Sequence, residues 1–126
     1  MEKLKDKLVA IVDDEESNIY ALSNCLEARD MRIVIAKNGE ELILLLKKDI
    51  KPDIILLDMM MPVMDGYETL GVLKGNDSFK QIPVIAVTAR AMKGDKEKCM
   101  EAGAWDYIAK PLDINLLMDK LIRWIV

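Results

Sequence analysis

The sequence predicts an α/β chain: a doubly wound parallel sheet of five strands with five helices on its two faces. Three observations predict it. Short, solid aliphatic runs alternate five times with segments of helical periodicity. The runs hold almost no polar positions, as strands covered on both faces do, whereas a half-exposed strand would alternate. With 126 residues, 52% of them hydrophobic, the chain can bury a core on both sides of one sheet. Residues 1–126 are therefore expected to form one domain.

The first strand is LVAIV, Leu8–Val12. ESNIYALSNCLEA follows, with Ile19, Leu22 and Leu26 at helical spacing. MRIVIA reads as the second strand. Asn38-Gly39 makes a turn into the short helix EELILLLKK. Pro52 precedes the third strand, DIILL, and DGYETLGVLK is the third helix. PVIAVT, opened by Pro83, is the fourth strand. AMKGDKEKCMEAG is a helix stopped by Gly103, and WDYIAK is the fifth strand. Asp113 caps a last helix whose Ile114, Leu117, Met118, Leu121 and Ile125 form one apolar stripe.

Right-handed crossovers leave few topologies for five such units in series. The leading one is the flavodoxin-like strand order 2-1-3-4-5. Sheets of this kind bind ligands beyond the carboxyl ends of their strands, at the switch point between strands 1 and 3.

Composition narrows the function. The net charge of −4 argues against nucleic acid as the direct ligand. No apolar run is long enough to span a bilayer, and acids arrive too early for a signal peptide, so a cytoplasmic protein is expected. Cys25 and Cys99 have no metal or redox spacing and read as free buried thiols. With no histidine in the chain, an imidazole base, a histidine metal ligand and a phosphohistidine are all excluded.

The strand ends carry the chemistry. Asp13-Asp14 follows strand 1, and Asp58 follows the aliphatic run of strand 3 in IILLDMMMPVMDG. Adjacent strands would bring the three carboxylates together, and crowded carboxylates call for a cation. Mg²⁺, a hard ion that prefers oxygen ligands, is the simplest. Asp13 and Asp14 could instead merely cap the first helix, a reading that weakens once Asp58 stands beside them. Thr88 ends strand 4 and Lys110 ends strand 5. Acids, hydroxyl, ammonium and metal together make a place for an anion with several oxygens, and a phosphoryl group fits.

In this order, VDDEESN, LLDMMMPVMDG, VTARA and YIAKPLD resemble the receiver domain of two-component response regulators, from about Leu8 to the C-terminus. The resemblance implies that Asp58 is the phosphoacceptor and that Asp13 and Asp14 organise Mg²⁺, with the Met60 carbonyl as a further ligand. It makes Thr88 the switch hydroxyl, Lys110 the phosphate-pairing lysine and Tyr107 the aromatic that changes rotamer. Pro111 stands where the family has a cis peptide. Met60 and Arg90 occupy the positions that tune the lifetime of the phosphorylated state. A histidine kinase or histidine phosphotransfer domain would be the donor, and an unknown downstream protein the target. The DDEESN and ARAMKGDKEKCMEAGA segments look closer to receivers attached to hybrid kinases than to free-standing ones.

An aspartyl phosphatase of the haloacid dehalogenase type would need a second Asp at position 60, where Met60 stands. A flavodoxin-type FMN module would need a neutral loop in place of DDEES. The last helix reaches the C-terminus, so output is expected through surface contacts. Helix 4, with few inward apolar residues (Ala91, Met92, Cys99, Ala102), is expected to move. Ala21, Asn24 and Ala28 would leave room for a donor's helix. The methionine run is expected to fill core around the site. Leu44 is expected at the surface, and Trp105 beside the output face.

Overall fold

The computed structural model describes residues 2–61, 63–89 and 93–125. After a 3-10 turn at Glu2–Leu4, the elements are β1 (Leu8–Val12), α1 (Glu16–Glu27), β2 (Arg32–Ala36), α2 (Gly39–Lys47) and β3 (Ile54–Asp58). They continue with α3 (Gly66–Lys74), β4 (Val84–Thr88), α4 (Lys93–Glu101), β5 (Asp106–Ala109) and α5 (Ile114–Ile125). All five strands are parallel, in the order β2-β1-β3-β4-β5. This is the expected flavodoxin-like order.

Strand alternation divides the core into two layers. Ile11, Leu56, Val87 and Ile108 face α1 and α5, where Leu22, Leu26, Leu117 and Leu121 pack on them. Ala10, Leu57 and Ala86 face the other way, toward Leu42, Leu46, Leu70 and Cys99. Strands β3 and β4 are buried along their whole length, which is why their sequences read as unbroken aliphatic runs. Strand β2 lies at the edge and is half-exposed.

Local chemistry sets the helix starts. The Asn38 side chain accepts from the Glu41 amide, and the Asp65 side chain from the Glu68 amide. The Asp113 carboxylate accepts from the Leu116 amide, as expected for the cap of α5. Gly66 is required by close approach: a Cβ there would sit 2.6 Å from the Met59 Cα.

Three expectations need adjustment. Met59 and Met61 are buried, but Met60 is 69% exposed. Met60 follows the buried turn out of β3, and its backbone, not its side chain, is drawn to the site. Cys99 is fully buried, whereas Cys25 is only half-buried and borders a cavity. In α4 the first turn begins at Lys93, and Ala91 and Met92 lie outside the described residues. Cys99 is the buried anchor of that helix, and Ala102 is half-buried just past its end. Leu44 is exposed, as expected, and so are Ala21, Asn24 and Ala28 on α1. Trp105 meets Trp124 of α5 edge-on at 5.5 Å between ring centres.

Candidate functional site

Register places the site. Val12 pairs with Leu57, Asp58 with Val87 and Thr88 with Ala109, so four strands end nearly level. Parity then decides which side chains meet. Asp13, Asp58 and Lys110 lie two residues beyond Ile11, Leu56 and Ile108, all on the α1/α5 face of the sheet. Thr88 lies two beyond Ala86, on the opposite face, the one that Tyr107 packs against.

The acids do converge. One carboxylate oxygen from each of Asp13, Asp14 and Asp58 lies within 4.8 Å of the other two. Asp13 and Asp58 are buried, and Asp14 is exposed. Lys110 Nζ stands 3.5 Å from Asp58 Oδ2 and 3.6 Å from Asp13 Oδ2. The Lys110–Pro111 peptide is cis. The Met60 amide donates to Asp58 Oδ1 at 3.0 Å and so fixes the carboxylate from behind.

Asp13 is both a ligand candidate and a loop anchor. Its Oδ1 accepts from the Glu15 amide at 2.9 Å, tightening the turn into α1. The helix N-cap, Glu15, makes no side-chain capping bond, so the acids are not caps in the ordinary sense. Asn18 donates to Asp13 Oδ2 at 3.4 Å and to Glu15 Oε2 at 3.0 Å, bracing Asp13 from one turn along the helix. Sequence reasoning gave Asn18 no such role; its spacing of five from Asp13 was the available signal.

Burial pushes the Asp58 carboxyl above its ordinary value. The Met60 amide and Lys110 pull the other way, and Asp13 adds to the rise, but burial dominates. Among the described residues, one ammonium against three carboxylates leaves a surplus of negative charge. A hard cation with oxygen ligands suits that surplus, and the donor set is all oxygen.

Thr88 is buried at the end of β4. Tyr107 is half-buried, with Lys96 Nζ at 5.3 Å and Lys120 Nζ at 5.8 Å from its ring centre. Beside it lies a network that sequence reasoning missed. Lys120 Nζ and Trp124 Nε1, both on α5, donate to the two oxygens of Asp106, at 2.8 and 2.9 Å. The Tyr107 amide also donates to Asp106 Oδ1. Burial alone would raise the Asp106 carboxyl, but these donors outweigh it and hold the group below its ordinary value. Arg90, the second expected lifetime position, lies outside the described residues, as does Pro62.

A cavity of about 290 Å³ between α1 and the start of α5 is lined by Asp13, Asp58 and Lys110 together with aliphatic side chains. None of the described helices is long and apolar enough to cross a membrane.

The polar-differentiation response regulator DivK of Brucella anthropi is 41% identical over 115 residues, 91% of this chain and 93% of that one. The signal receiver domain of a signal transduction histidine kinase from Syntrophus aciditrophicus superposes with a TM-score of 0.87 at 32% identity, covering 94% of this chain and 89% of that one. The receiver domain of the sensor histidine kinase PA1611 from Pseudomonas aeruginosa superposes at 0.83 with 30% identity, over 95% and 98% of the two chains, and holds a magnesium ion in its active-site cleft. Residues 9–122 match the response regulator receiver domain, and the chain belongs to that family.

Proposed function

We propose that the chain is a phosphoacceptor switch: Asp58 takes a phosphoryl group from a phosphohistidine on another protein, with Mg²⁺ held by Asp13, Asp14, Asp58 and the Met60 carbonyl. The observation that carries this reading is Asp58 itself. It is a buried carboxylate with Lys110 at 3.5 Å, and its neighbours' carboxylate oxygens lie within 4.8 Å. A carboxylate so placed supports a reading in which a cation and a phosphoryl group meet at one oxygen.

Asp58 Oδ attacks phosphorus in line, forming the P–O bond as the P–N bond to the donor imidazole breaks. The chain has no histidine and cannot supply that donor itself. Bound among the acids, Mg²⁺ would supply positive charge to the phosphoryl oxygens and offset their repulsion from the carboxylates. Lys110 pairs with a second phosphoryl oxygen, releasing its hold on Asp13. Thr88 closes on a third. Its movement frees space on the Tyr107 side of the sheet, and α4 follows. Water later cleaves the acyl phosphate to inorganic phosphate and restores the Asp58 carboxylate. The chain catalyses only its own phosphorylation and dephosphorylation.

The histidine-kinase receivers among its structural relatives support a histidine kinase or phosphotransfer domain as the donor. Output passes by protein–protein contact to a downstream partner. The direct test is labelling with a small phosphodonor and Mg²⁺. One alkali-labile phosphoryl group is expected on wild type and none on Asp58→Asn. Stoichiometric labelling of the Asn variant would overturn the assignment.

A further inference from the structure

The cavity beside the phosphoacceptor asks for an occupant that neither metal nor phosphoryl group supplies. Its walls are Leu22, Leu56, Val87 and Leu112, side chains that would gain by closing together. The small side chains of Ala21 and Cys25 on α1 leave the space unfilled. At about 290 Å³ it lies at the small end of ligand pockets, which are mainly apolar with a few convergent polar groups.

Those polar groups are of one kind. Asp13 and Asp58 line the cavity, and Asp14 stands next to them with its carboxylate oxygen inside the same 4.8 Å cluster. Among the described residues Lys110 is the single ammonium at the acids, already divided between Asp58 and Asp13. The Asn18 amide is turned onto Asp13 and Glu15, so its donors are engaged. Among the described residues, and without metal, the three acids outnumber the one lysine by two charges. An anionic head would be repelled there, and a neutral apolar molecule would leave the surplus as it is. A monocation with a short apolar body satisfies both halves of the site.

We propose that this cavity binds small amphipathic cations, primary ammonium or amidinium groups on a short alkyl or aryl body. The charged head sits among Asp13, Asp14 and Asp58, and the body fills the space between α1 and α5. Head and Mg²⁺ claim the same oxygens, so the two compete. Such a ligand holds the chain in a metal-free state closed to phosphoryl transfer. That regulatory consequence rests on the reading of Asp58 as phosphoacceptor; the binding itself does not.

The test is a titration of the metal-free chain with n-alkylammonium ions from ethyl to hexyl, with benzylammonium, and with the matching alcohols, followed by amide NMR shifts. Affinity is expected to rise by about fourfold per added methylene until the cavity is full. Shifts should centre on Leu22, Cys25 and Leu112. Each alcohol should bind at least tenfold more weakly than its amine, and Mg²⁺ should raise the apparent Kd of the amines in proportion to its concentration. Cys25→Phe and Ala21→Leu place bulk in the cavity without touching the phosphoacceptor site. Both should weaken hexylammonium at least tenfold and still accept a phosphoryl group from a small phosphodonor, which needs no docking on α1. Ala21 is exposed on its helix, so that variant tests the idea even if Cys25→Phe fails to fold. Ammonium binding that is indifferent to chain length, or equal in the filled variants, would mean charge pairing at the surface alone and would overturn the proposal. A chain that binds the amines but takes no phosphoryl group would instead overturn the functional reading and leave the cavity assignment standing.

Discussion

Replacing Asp58 by Asn should make the metal-free protein more stable, although it abolishes the proposed function. Asp58 is 5% exposed and loses most of its hydration on folding. Its attraction to Lys110 at 3.5 Å is worth about 5 kcal/mol at an effective dielectric near 20. Repulsion from Asp13 at up to 4.8 Å costs about 3–4 kcal/mol on the same scale, and Asp14, exposed and better screened, costs about half of that. Those terms nearly cancel. What remains is burial of the charge, which runs to several kcal/mol per ion before local hydrogen bonds offset part of it. Asn keeps an oxygen for the Met60 amide, and Lys110 keeps Asp13 at 3.6 Å. The net expectation is a gain of about 2 kcal/mol, or roughly 8 °C in Tm for a chain of this size.

The sign with pH follows from the raised Asp58 carboxyl. Between the ordinary value of 3.8 and the raised value of the fold, the folded wild type holds a proton that the unfolded chain has released. Its stability therefore falls as pH rises through the folded-state value, and Asp58→Asn lacks that loss. Thermal unfolding in EDTA should show the two proteins converging below about pH 4 and separating at neutral pH. Mg²⁺ at about 100 times its Kd should then raise wild type by about 2.7 kcal/mol and the Asn variant by far less. An Asn variant that is no more stable at pH 7.5 without metal, or a difference that ignores pH, would refute the claim that Asp58 carries an uncompensated charge.

Asp14→Ala should reduce Mg²⁺ affinity by at least tenfold, and EDTA should stop labelling of wild type; undiminished labelling in EDTA would contradict the metal assignment. Asp106→Ala leaves the Lys120 ammonium and Trp124 indole without their acceptor, and should cost about 3 kcal/mol at neutral pH. Because the Asp106 carboxyl is held low, that cost should shrink as pH falls below 3.8, read by chemical denaturation across pH. Thr88→Ala should still be phosphorylated but lose most of the phosphorylation-dependent change in amide exchange along Lys93–Glu101. Met60→Asn combined with Arg90→Glu should shorten the acyl phosphate's lifetime about tenfold, or roughly 1.4 kcal/mol of barrier, measured as decay of labelled protein with donor removed. Neither native residue offers a carboxamide or carboxylate to orient water, and the exposed Met60 side chain stands free to be replaced.

Much of this was legible in the sequence because the fold uses its residues locally. Solid aliphatic runs name buried parallel strands, and the residue just past each run lands at a strand end. Topology then brings together Asp13, Asp58 and Lys110, and strand parity puts them on one face. The unread parts depend on distance. The bonds from Lys120 and Trp124 to Asp106 span 14 and 18 residues, and no pattern in WDYIAK signals them. Trp124 falls beside the apolar stripe of α5 and reads as one more hydrophobic residue until Asp106 is seen beneath it. The exposure of Met60 was hidden by its two buried neighbours. The cavity is set by what Ala21 and Cys25 fail to fill, and a missing volume leaves no mark in a periodicity.

The two acid clusters of this chain show what separates a structural carboxylate from a chemical one. Asp106 and Asp58 are both buried and both sit beside a lysine. Asp106 has an ammonium, an indole and an amide on its two oxygens, so ionisation is favoured and the group locks β5 to α5. Asp58 has one amide and a lysine that it shares with Asp13, so ionisation is opposed. Asp58 is the more buried of the two, has fewer donors, and has Asp13 beside it; these three differences act in the same direction. An under-supplied carboxylate gains more from an arriving cation than a saturated one does, which turns the folding cost at Asp58 into affinity for metal and phosphoryl group. Adding a donor at Asp58 would stabilise the fold and weaken the switch.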